Sequence, residues 1–151
     1  TQYFAERLAK QLSLLAEPAS LFIELHGDLG SGKTTLVRHL LQAMGVKGRI
    51  KSPTYAIVES YDEVHDAAQN ALPVWHFDFY RFKDPLEWEE AGFRDIFAGP
   101  GIKLVEWPEM AESELPAADI AILIIANSDA SRTATVLAKS PIGNKVLSAL
   151  S

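Results

Sequence analysis

The chain has 151 residues, 48% of them hydrophobic, and its 14 basic and 20 acidic side chains give a net charge of −6. This length predicts one domain spanning residues 1–151, and the acidic balance disfavours strong direct binding of tRNA or other nucleic acid, which generally needs a basic face. The absence of cysteine excludes disulfides and thiolate metal sites, and with no apolar run near ~18 residues and no visible signal peptide we expect a cytoplasmic protein without membrane spans.

The first three predicted elements are a helix, a strand and a second helix. An apolar stripe that includes Phe4, Leu8 and Leu12 predicts an amphipathic helix over residues 3–16. The apolar run at 21–25 is typical of a strand. Apolar residues at helical spacing between Leu36 and Met44 predict a helix over 33–44, which the following glycine ends.

Between that strand and the second helix lies the sequence GDLGSGKT at positions 27–34, which fits the G-x-x-x-x-G-K-[ST] pattern at every fixed position. In this pattern the glycines let the backbone curl so that its N–H groups surround phosphate oxygens. Lys33 is expected to reach the terminal phosphates, and the Thr34 hydroxyl is placed to ligate Mg²⁺. The residues predicted to bind nucleotide here are Asp28, Leu29, Gly30, Ser31, Gly32, Lys33, Thr34 and Thr35.

The rest of the chain continues the alternation of strands and helices. Strands are predicted over 56–61, 74–79, 102–107, 120–126 and 132–138, the fourth being apolar enough to be covered on both faces. Helices are predicted from a cap at Asp84 to about Gly92, from after Pro108 to about Glu114, and over 141–150. The pattern predicts an α/β three-layer sandwich of the P-loop type, whose central parallel sheet is flanked by antiparallel strands near 56–79 and 120–138.

Two carboxylates lie at the ends of predicted strands, at the edge of the sheet where α/β proteins bind ligands. Asp78 and Glu106 each match the acidic position that holds Mg²⁺ or orients an attacking water, and the spacing does not decide between these roles. The alternative for each is a simple acid at a strand end. The segment Ser52-Pro53-Thr54 is a weaker candidate for a switch that approaches Mg²⁺ or the γ-phosphate.

Other polar and aromatic residues near these strands have simpler interpretations. His76 lies within an apolar strand and is expected to be a core histidine, whereas Trp107, beside Glu106, is expected to line the site. Arg81 and Arg132 are the only candidates for an arginine that stabilises a transition state. The chain lacks the Asn-Lys-x-Asp and Asp-x-x-Gly motifs of GTPases, which favours adenine as the base.

These residues together resemble the bacterial tRNA threonylcarbamoyladenosine biosynthesis protein TsaE family, and the resemblance covers essentially the whole chain. The phosphate loop is common to many families, but the other three blocks are specific. Only Tyr55 and Phe79 stand where the family varies among aromatic or apolar residues. The blocks are Gly27-Asp28-Leu29-Gly30-Ser31-Gly32-Lys33-Thr34-Thr35, Lys51-Ser52-Pro53-Thr54-Tyr55, His76-Phe77-Asp78-Phe79-Tyr80-Arg81 and Glu106-Trp107-Pro108-Glu109.

The resemblance implies a P-loop ATPase that binds ATP and Mg²⁺ and assists TsaB and TsaD in transferring a threonylcarbamoyl group to an adenosine of tRNA. It implies an ATP-driven reset or gating step for this protein, with TsaD performing the transfer. By matching positions, Thr34, Thr54, Asp78 and Glu106 form the metal and water site, with Asp78 and Glu106 catalytic. Trp107 would be a neighbour of the nucleotide.

Two other functions are compatible with a phosphate loop. A small kinase of a nucleotide or metabolite would need extra arginines and a lid that closes over two substrates, and this chain offers few arginines and little length for a lid. A nucleotide-gated binding module with negligible turnover overlaps with the family's function, because slow hydrolysis by the protein alone is expected of both. Phosphate release measured with and without partner proteins separates them.

Overall fold

The computed structural model describes residues 1–16, 19–50, 53 and 57–150. Within them, six strands alternate with five α-helices and one short 3₁₀ helix. In chain order these elements are α1 Gln2–Ser13, β1 Ser20–His26, α2 Lys33–Ala43, β2 Val58–Tyr61, β3 Val74–Asp78, α3 Pro85–Glu90, α4 Phe93–Ala98, β4 Gly101–Glu106, the 3₁₀ helix Pro108–Ala111, β5 Ile120–Ala126, β6 Arg132–Ala138 and α5 Pro141–Leu150.

The strands form one sheet in the order β2-β3-β4-β1-β5-β6. The four inner strands are mutually parallel, while β2 pairs with β3 and β6 pairs with β5 in antiparallel fashion. This arrangement confirms the predicted fold class. Because β4 lies between β1 and β3, the carboxyl ends of these three strands meet beside the loop that follows β1.

Helices cover both faces of the sheet with two different kinds of core. On one face α1, α2 and α5 pack on aliphatic side chains of the inner strands, such as Leu21, Ile23 and Leu104. On the other face an aromatic cluster joins β3 to α3 and α4, with Phe77 and Trp88 among its fully buried members. Rings within this cluster meet edge-on and stacked at centroid distances such as 5.2 Å between Phe77 and Phe93, which fixes the orientation of β3.

The prediction that strand 120–126 is covered on both faces is wrong. Ile120, Ile122 and Ile124 are buried against the helices, but Leu123 is 41% and Ile125 is 48% exposed. The aromatic side chains of this cluster extend from β3 across β4 to Phe22 of β1, and the cluster includes no residue of β5. The second face of β5 therefore lacks a covering helix among the described residues.

Two helix predictions also need correction at their ends. The helix predicted over 3–16 ends at Ser13. Asp84 caps α3 as expected by accepting a hydrogen bond from the Leu86 amide at 3.0 Å, but α3 ends at Glu90. A separate helix, α4, follows a left-handed Gly92 at φ 71° and was not predicted, because six residues are too few to show helical periodicity.

No helix in the described part of the chain is long and apolar enough to cross a membrane.

A buried lysine at the other end of the sheet makes stability depend on pH. The Lys103 ammonium is 1% exposed, and it donates to the Gly99 carbonyl and to Ser20 Oγ at 3.1 Å. Burial lowers the pKa of Lys103 to about 8 from its ordinary 10.5, and Asp119 partly opposes this shift. Above that pKa the unfolded chain holds a proton that the folded chain has released, so stability rises with pH.

We therefore predict that the free energy of unfolding of the wild type rises by about 1–2 kcal/mol between pH 7 and 9.5 relative to Lys103→Met. Urea denaturation of both proteins across this range measures the difference, and Lys33, whose pKa is also lowered, cancels between them. A constant difference between the two proteins would contradict the prediction.

Candidate functional site

The phosphate-loop sequence connects the end of β1 to the start of α2, as its pattern predicts. Gly27 has φ 149°, and a Cβ there would lie 2.6 Å from the backbone oxygen of Ile124. Gly32, the residue before α2, has a left-handed φ of 113°. Both positions need glycine, one because β5 passes too closely and the other because the turn into α2 requires this conformation. The loop therefore leads directly into the first turn of α2, where the first N–H groups of a helix have no acceptor within the helix.

The loop and the ends of β3 and β4 enclose a cavity of about 300 Å³. It is bordered by loop residues, both predicted acids and the predicted tryptophan. Its lining is Leu29, Gly30, Gly32, Lys33, Thr34, Thr35, Asp78, Tyr80, Glu106, Trp107 and Arg132. Asp28 and Ser31, which were also predicted to bind nucleotide, border a different cavity on the outer side of the loop, between it and β5.

The Lys33 side chain folds back onto the phosphate loop. Its Nζ donates to the Gly27 carbonyl at 2.6 Å and lies 3.5 Å from the centroid of the Trp107 ring. The side chain is 5% exposed. Desolvation lowers the pKa of Lys33, while Glu106, Glu109 and other nearby acids act in the opposite direction. The ammonium is thus a poorly hydrated charge at the floor of the cavity, which strengthens its attraction for an anion.

Glu106 is the centre of a hydrogen-bonded group that joins three elements. Its carboxylate is 2% exposed. Thr34 Oγ1, at the start of α2, donates to Glu106, with distances of 2.9 Å to Oε1 and 3.1 Å to Oε2. His76 Nε2 lies 2.6 Å from Oε2. The prediction of a core histidine is right about the burial of His76, but sequence reasoning missed this contact, which depends on the register between β3 and β4.

Asp78 lies beside Glu106, and the two residues are paired in register across β3 and β4. One oxygen of Asp78 accepts the Tyr80 amide at 3.0 Å. Burial raises the pKa of Asp78, the Tyr80 hydrogen bond opposes this, and the charge of Glu106 adds to the rise. The two predicted acids therefore occupy one site with different environments.

Trp107 covers this site in an unusual backbone conformation. The residue follows β4 with φ 55° and ψ 49°, so the predicted strand 102–107 ends one residue early. Its indole packs on Tyr80 at 4.9 Å between ring centroids and on the Lys33 ammonium. A left-handed conformation is uncommon outside glycine, and here it directs the indole over the loop.

A second cavity adjoins the first on the side of α1. It has a volume of about 430 Å³, shares Gly32, Thr35 and Arg132 with the first and is otherwise mostly apolar, with Phe4, Leu36 and Ile124 among its lining residues. Arg132 lies against the loop, because a Cβ on Gly32 would be 3.4 Å from its Nε. Arg132 was considered from the sequence, but the cavity was not predicted, since distant parts of the chain form it. Arg81, the other arginine considered, borders neither cavity.

The predicted switch residues Ser52 and Thr54 lie outside the described residues, and their roles stay predictions. Within the described ranges no three or more histidine and acidic side chains form a group that could hold a metal by themselves.

A parallel sheet whose first strand runs through a glycine loop into a helix, with acids at the ends of the two adjacent strands, defines a P-loop protein of the α/β class. The model of the family described as "Threonylcarbamoyl adenosine biosynthesis protein TsaE" matches residues 1–134. The chain belongs to this family.

Individual relatives agree with the family match. A protein named "tRNA threonylcarbamoyladenosine biosynthesis protein TsaE" from Haemophilus influenzae is 40% identical over 98% of this chain and 89% of its own length. A protein of the same name from Bacillus subtilis is 34% identical over 91% and 80%. The crystal structure of Bacillus subtilis YdiB superposes with a TM-score of 0.74 at 28% identity, covering 99% of this chain and 88% of that one.

The contact between Trp107 and Lys33 predicts a measurable change in the isolated protein. Replacing Trp107 by Ala re-exposes the Lys33 ammonium to water, so we expect the pKa of Lys33 to rise, since desolvation is the main cause of its lowering. NMR titration of the lysine Cε resonances measures this pKa. Trp75→Ala is the control, because Trp75 lies near Lys103 instead. An unchanged Lys33 midpoint in Trp107→Ala would contradict the arrangement.

Proposed function

We propose that this protein binds ATP with Mg²⁺, hydrolyses it slowly, and thereby assists the TsaB–TsaD complex in threonylcarbamoyladenosine modification of tRNA. The observation that carries the nucleotide part is the meeting of Lys33, Thr34, Asp78 and Glu106 at one cavity above the start of α2. A fixed ammonium, a hydroxyl and two carboxylates around helix N–H groups suit a polyphosphate with its metal.

The loop supplies the phosphate contacts in this proposal. Backbone N–H groups of the loop and of the first turn of α2 would receive the phosphate oxygens. Lys33 would exchange the Gly27 carbonyl for a phosphate, a contact that is charge-assisted and hence stronger than the neutral one it replaces. The indole of Trp107, already 3.5 Å from the ammonium, would lie beside the terminal phosphates and limit their access to water.

The hydrogen bonds of Thr34 suit a metal ligand. Because Thr34 gives its hydroxyl hydrogen to Glu106, its oxygen lone pairs stay free on the side of the cavity. A site with few protein ligands also suits Mg²⁺, which usually keeps several waters and binds substrate phosphates. Thr34 would hold the ion directly, with Glu106, Asp78 and Thr54 as its remaining predicted neighbours. When bound, the ion neutralises charge on the phosphoryl group.

Asp78 is the better candidate to orient the attacking water and take its proton. Its pKa is raised by burial, and a base is more effective as its pKa approaches the working pH. Glu106 already accepts hydrogen bonds from Thr34 and His76. Its oxygens are therefore less available to orient the attacking water and take its proton. We therefore assign the orientation and deprotonation of the attacking water to Asp78, and the orientation of the Thr34 hydroxyl to Glu106.

The second cavity offers a place for the adenosine end of the nucleotide. It adjoins the loop through Gly32 and Thr35, and its apolar lining beside Arg132 suits a planar base. Its volume of about 430 Å³ is ample for a nucleoside.

The role in tRNA modification rests on family membership and on relatives that carry that name. Membership also favours this role over the small-molecule kinase that a phosphate loop alone permits. The net charge of −6 agrees with a protein that acts on the modifying enzymes and does not bind tRNA strongly itself.

The first prediction concerns Lys33. Lys33→Ala removes the cation that faces the phosphates, and charge-assisted contacts contribute roughly 1.5–3 kcal/mol each, so affinity for Mg·ATP should fall about tenfold or more. Calorimetric titration measures this loss. Lys47→Ala, which removes the same charge from an exposed position, is the matched control. Equal affinity of the Lys33 variant and the wild type would refute the phosphate site.

The second prediction concerns the two acids. Asp78→Asn and Glu106→Gln should each fold normally yet suppress phosphate release by at least about tenfold, because the first removes the proposed base for the attacking water and the second removes the carboxylate that orients Thr34. Glu112→Gln, which changes an exposed acid six residues from Glu106, should keep full turnover. A variant that keeps its turnover and only melts at a lower temperature would show that its acid is structural.

The third prediction concerns the partners. Small hydrolases often receive part of their catalytic machinery from another protein, which in the GTPase case accelerates hydrolysis by about 10³–10⁵. We expect slow phosphate release alone, faster release with purified TsaB and TsaD, and co-elution that is strongest with ATP. Equal rates with and without the partners, together with co-elution that ignores the nucleotide, would contradict the proposed role even if ATP binds.

A further inference from the structure

One buried group near the site is not used by the proposed chemistry. His76 lies on β3 with its imidazole fully buried at 0% exposure. Nε2 contacts Glu106 Oε2 at 2.6 Å, whereas Nδ1 has no hydrogen-bond partner among the described residues. We infer that His76 is a positioning residue that fixes the Glu106 carboxylate, and through it directs the Thr34 oxygen at the metal. This inference rests on the proposed function.

The unequal surroundings of the two ring nitrogens select one hydrogen arrangement. The carboxylate oxygens of Glu106 accept from Thr34, and with Oε2 as the acceptor of the second contact as well, the imidazole carries a hydrogen on Nε2. A second hydrogen on Nδ1 would be a buried donor with no acceptor in the described part of the chain, which is costly. We therefore assign the neutral tautomer with its hydrogen on Nε2, so that His76 acts as a fixed donor.

The hydrogen bond from His76 to Oε2 fixes the position of the other carboxylate oxygen of Glu106. With Oε2 held by His76, Oε1 stays 2.9 Å from Thr34 Oγ1. Thr34 has a single hydroxyl hydrogen, and giving it to Glu106 leaves the lone pairs of the oxygen free. At 2% exposure Glu106 has little water to replace a lost donor. Without His76 the carboxylate can rotate about its last torsion and release the Thr34 hydroxyl.

A packing role alone does not account for a histidine here. The same face of β3 carries Val74, and the neighbouring side chains on that face, such as Leu104 and Leu25, are aliphatic. An apolar side chain would fill this space without burying the unpartnered Nδ1, whose burial costs stability. The residue type is therefore explained by its Nε2–H, which Glu106 Oε2 accepts.

The test separates metal binding from folding. His76→Phe keeps an aromatic ring but removes the donor, and His76→Gln places an amide N–H where Nε2–H lies. Calorimetry with ADP measures affinity in chelator and across a Mg²⁺ series. We expect His76→Phe to lose about 10–100-fold in apparent Mg²⁺ affinity, as for other partners of metal ligands, with metal-free ADP affinity unchanged. His76→Gln should recover most of the loss.

The control is Phe77→Leu, which perturbs the same strand on its aromatic face without touching Glu106. It should lower the melting temperature and leave the Mg²⁺ dependence unchanged. If His76→Phe does not fold, His76→Asn serves in its place, because its amide is too short to reach Glu106. A His76 variant with normal Mg²⁺ dependence and only a lower melting temperature would overturn the inference.

A second measurement needs neither metal nor nucleotide. Imidazole ¹⁵N–¹H NMR spectra of the free protein should show His76 as the neutral Nε2–H tautomer, with a proton resonance that moves in Glu106→Gln. The tautomer with its hydrogen on Nδ1 would overturn the inference by itself. Failure of the wild type to bind ADP at any Mg²⁺ concentration would instead refute the proposed function, and the role toward the metal would fall with it.

Discussion

Glu106 ends β4 with its carboxylate 2% exposed, and the hydroxyl of Thr34 and the imidazole of His76 both contact it. A buried charge is stable only when it is paired or well hydrogen-bonded. These contacts therefore tie the start of α2, the end of β3 and the end of β4 to one point. Lys33 and Asp78 flank this point and give the site its charges of both signs.

The sheet order makes this meeting possible. β4 lies between β3 and β1, so Asp78, Glu106 and the loop after β1 emerge side by side at the carboxyl edge. The register that pairs Asp78 with Glu106 also pairs His76 with Leu104, which places the imidazole one step behind the acid. The aromatic cluster around Phe77 and Trp88 holds β3 from the other face. A shift of register by one residue would turn both His76 and Asp78 away from the site.

The parts predicted correctly from sequence were those with a local signal. The loop pattern and the apolar runs indicated the strand–loop–helix unit and the fold class. An acid at the end of a strand pointed to Asp78 and Glu106, which the structure brings to the cavity beside the loop, while their roles stay predictions. The bond from His76 to Glu106 spans 30 residues and depends on strand register, which no local pattern contains. The left-handed Trp107, the resting position of Lys33 and the open face at Leu123 likewise follow from tertiary packing.

We propose that Lys33, which contacts the Gly27 carbonyl and the Trp107 ring in the free protein, exchanges that carbonyl for phosphate when nucleotide binds, while the contacts of Glu106 with Thr34 and His76 stay in place. A crystal structure with Mg²⁺ and a non-hydrolysable ATP analogue tests it most directly. We expect Lys33 Nζ to leave the Gly27 carbonyl for the terminal phosphates, and Thr34 and His76 to keep their contacts with Glu106. An analogue bound with Lys33 still on Gly27, or with Glu106 turned away from Thr34, would contradict it.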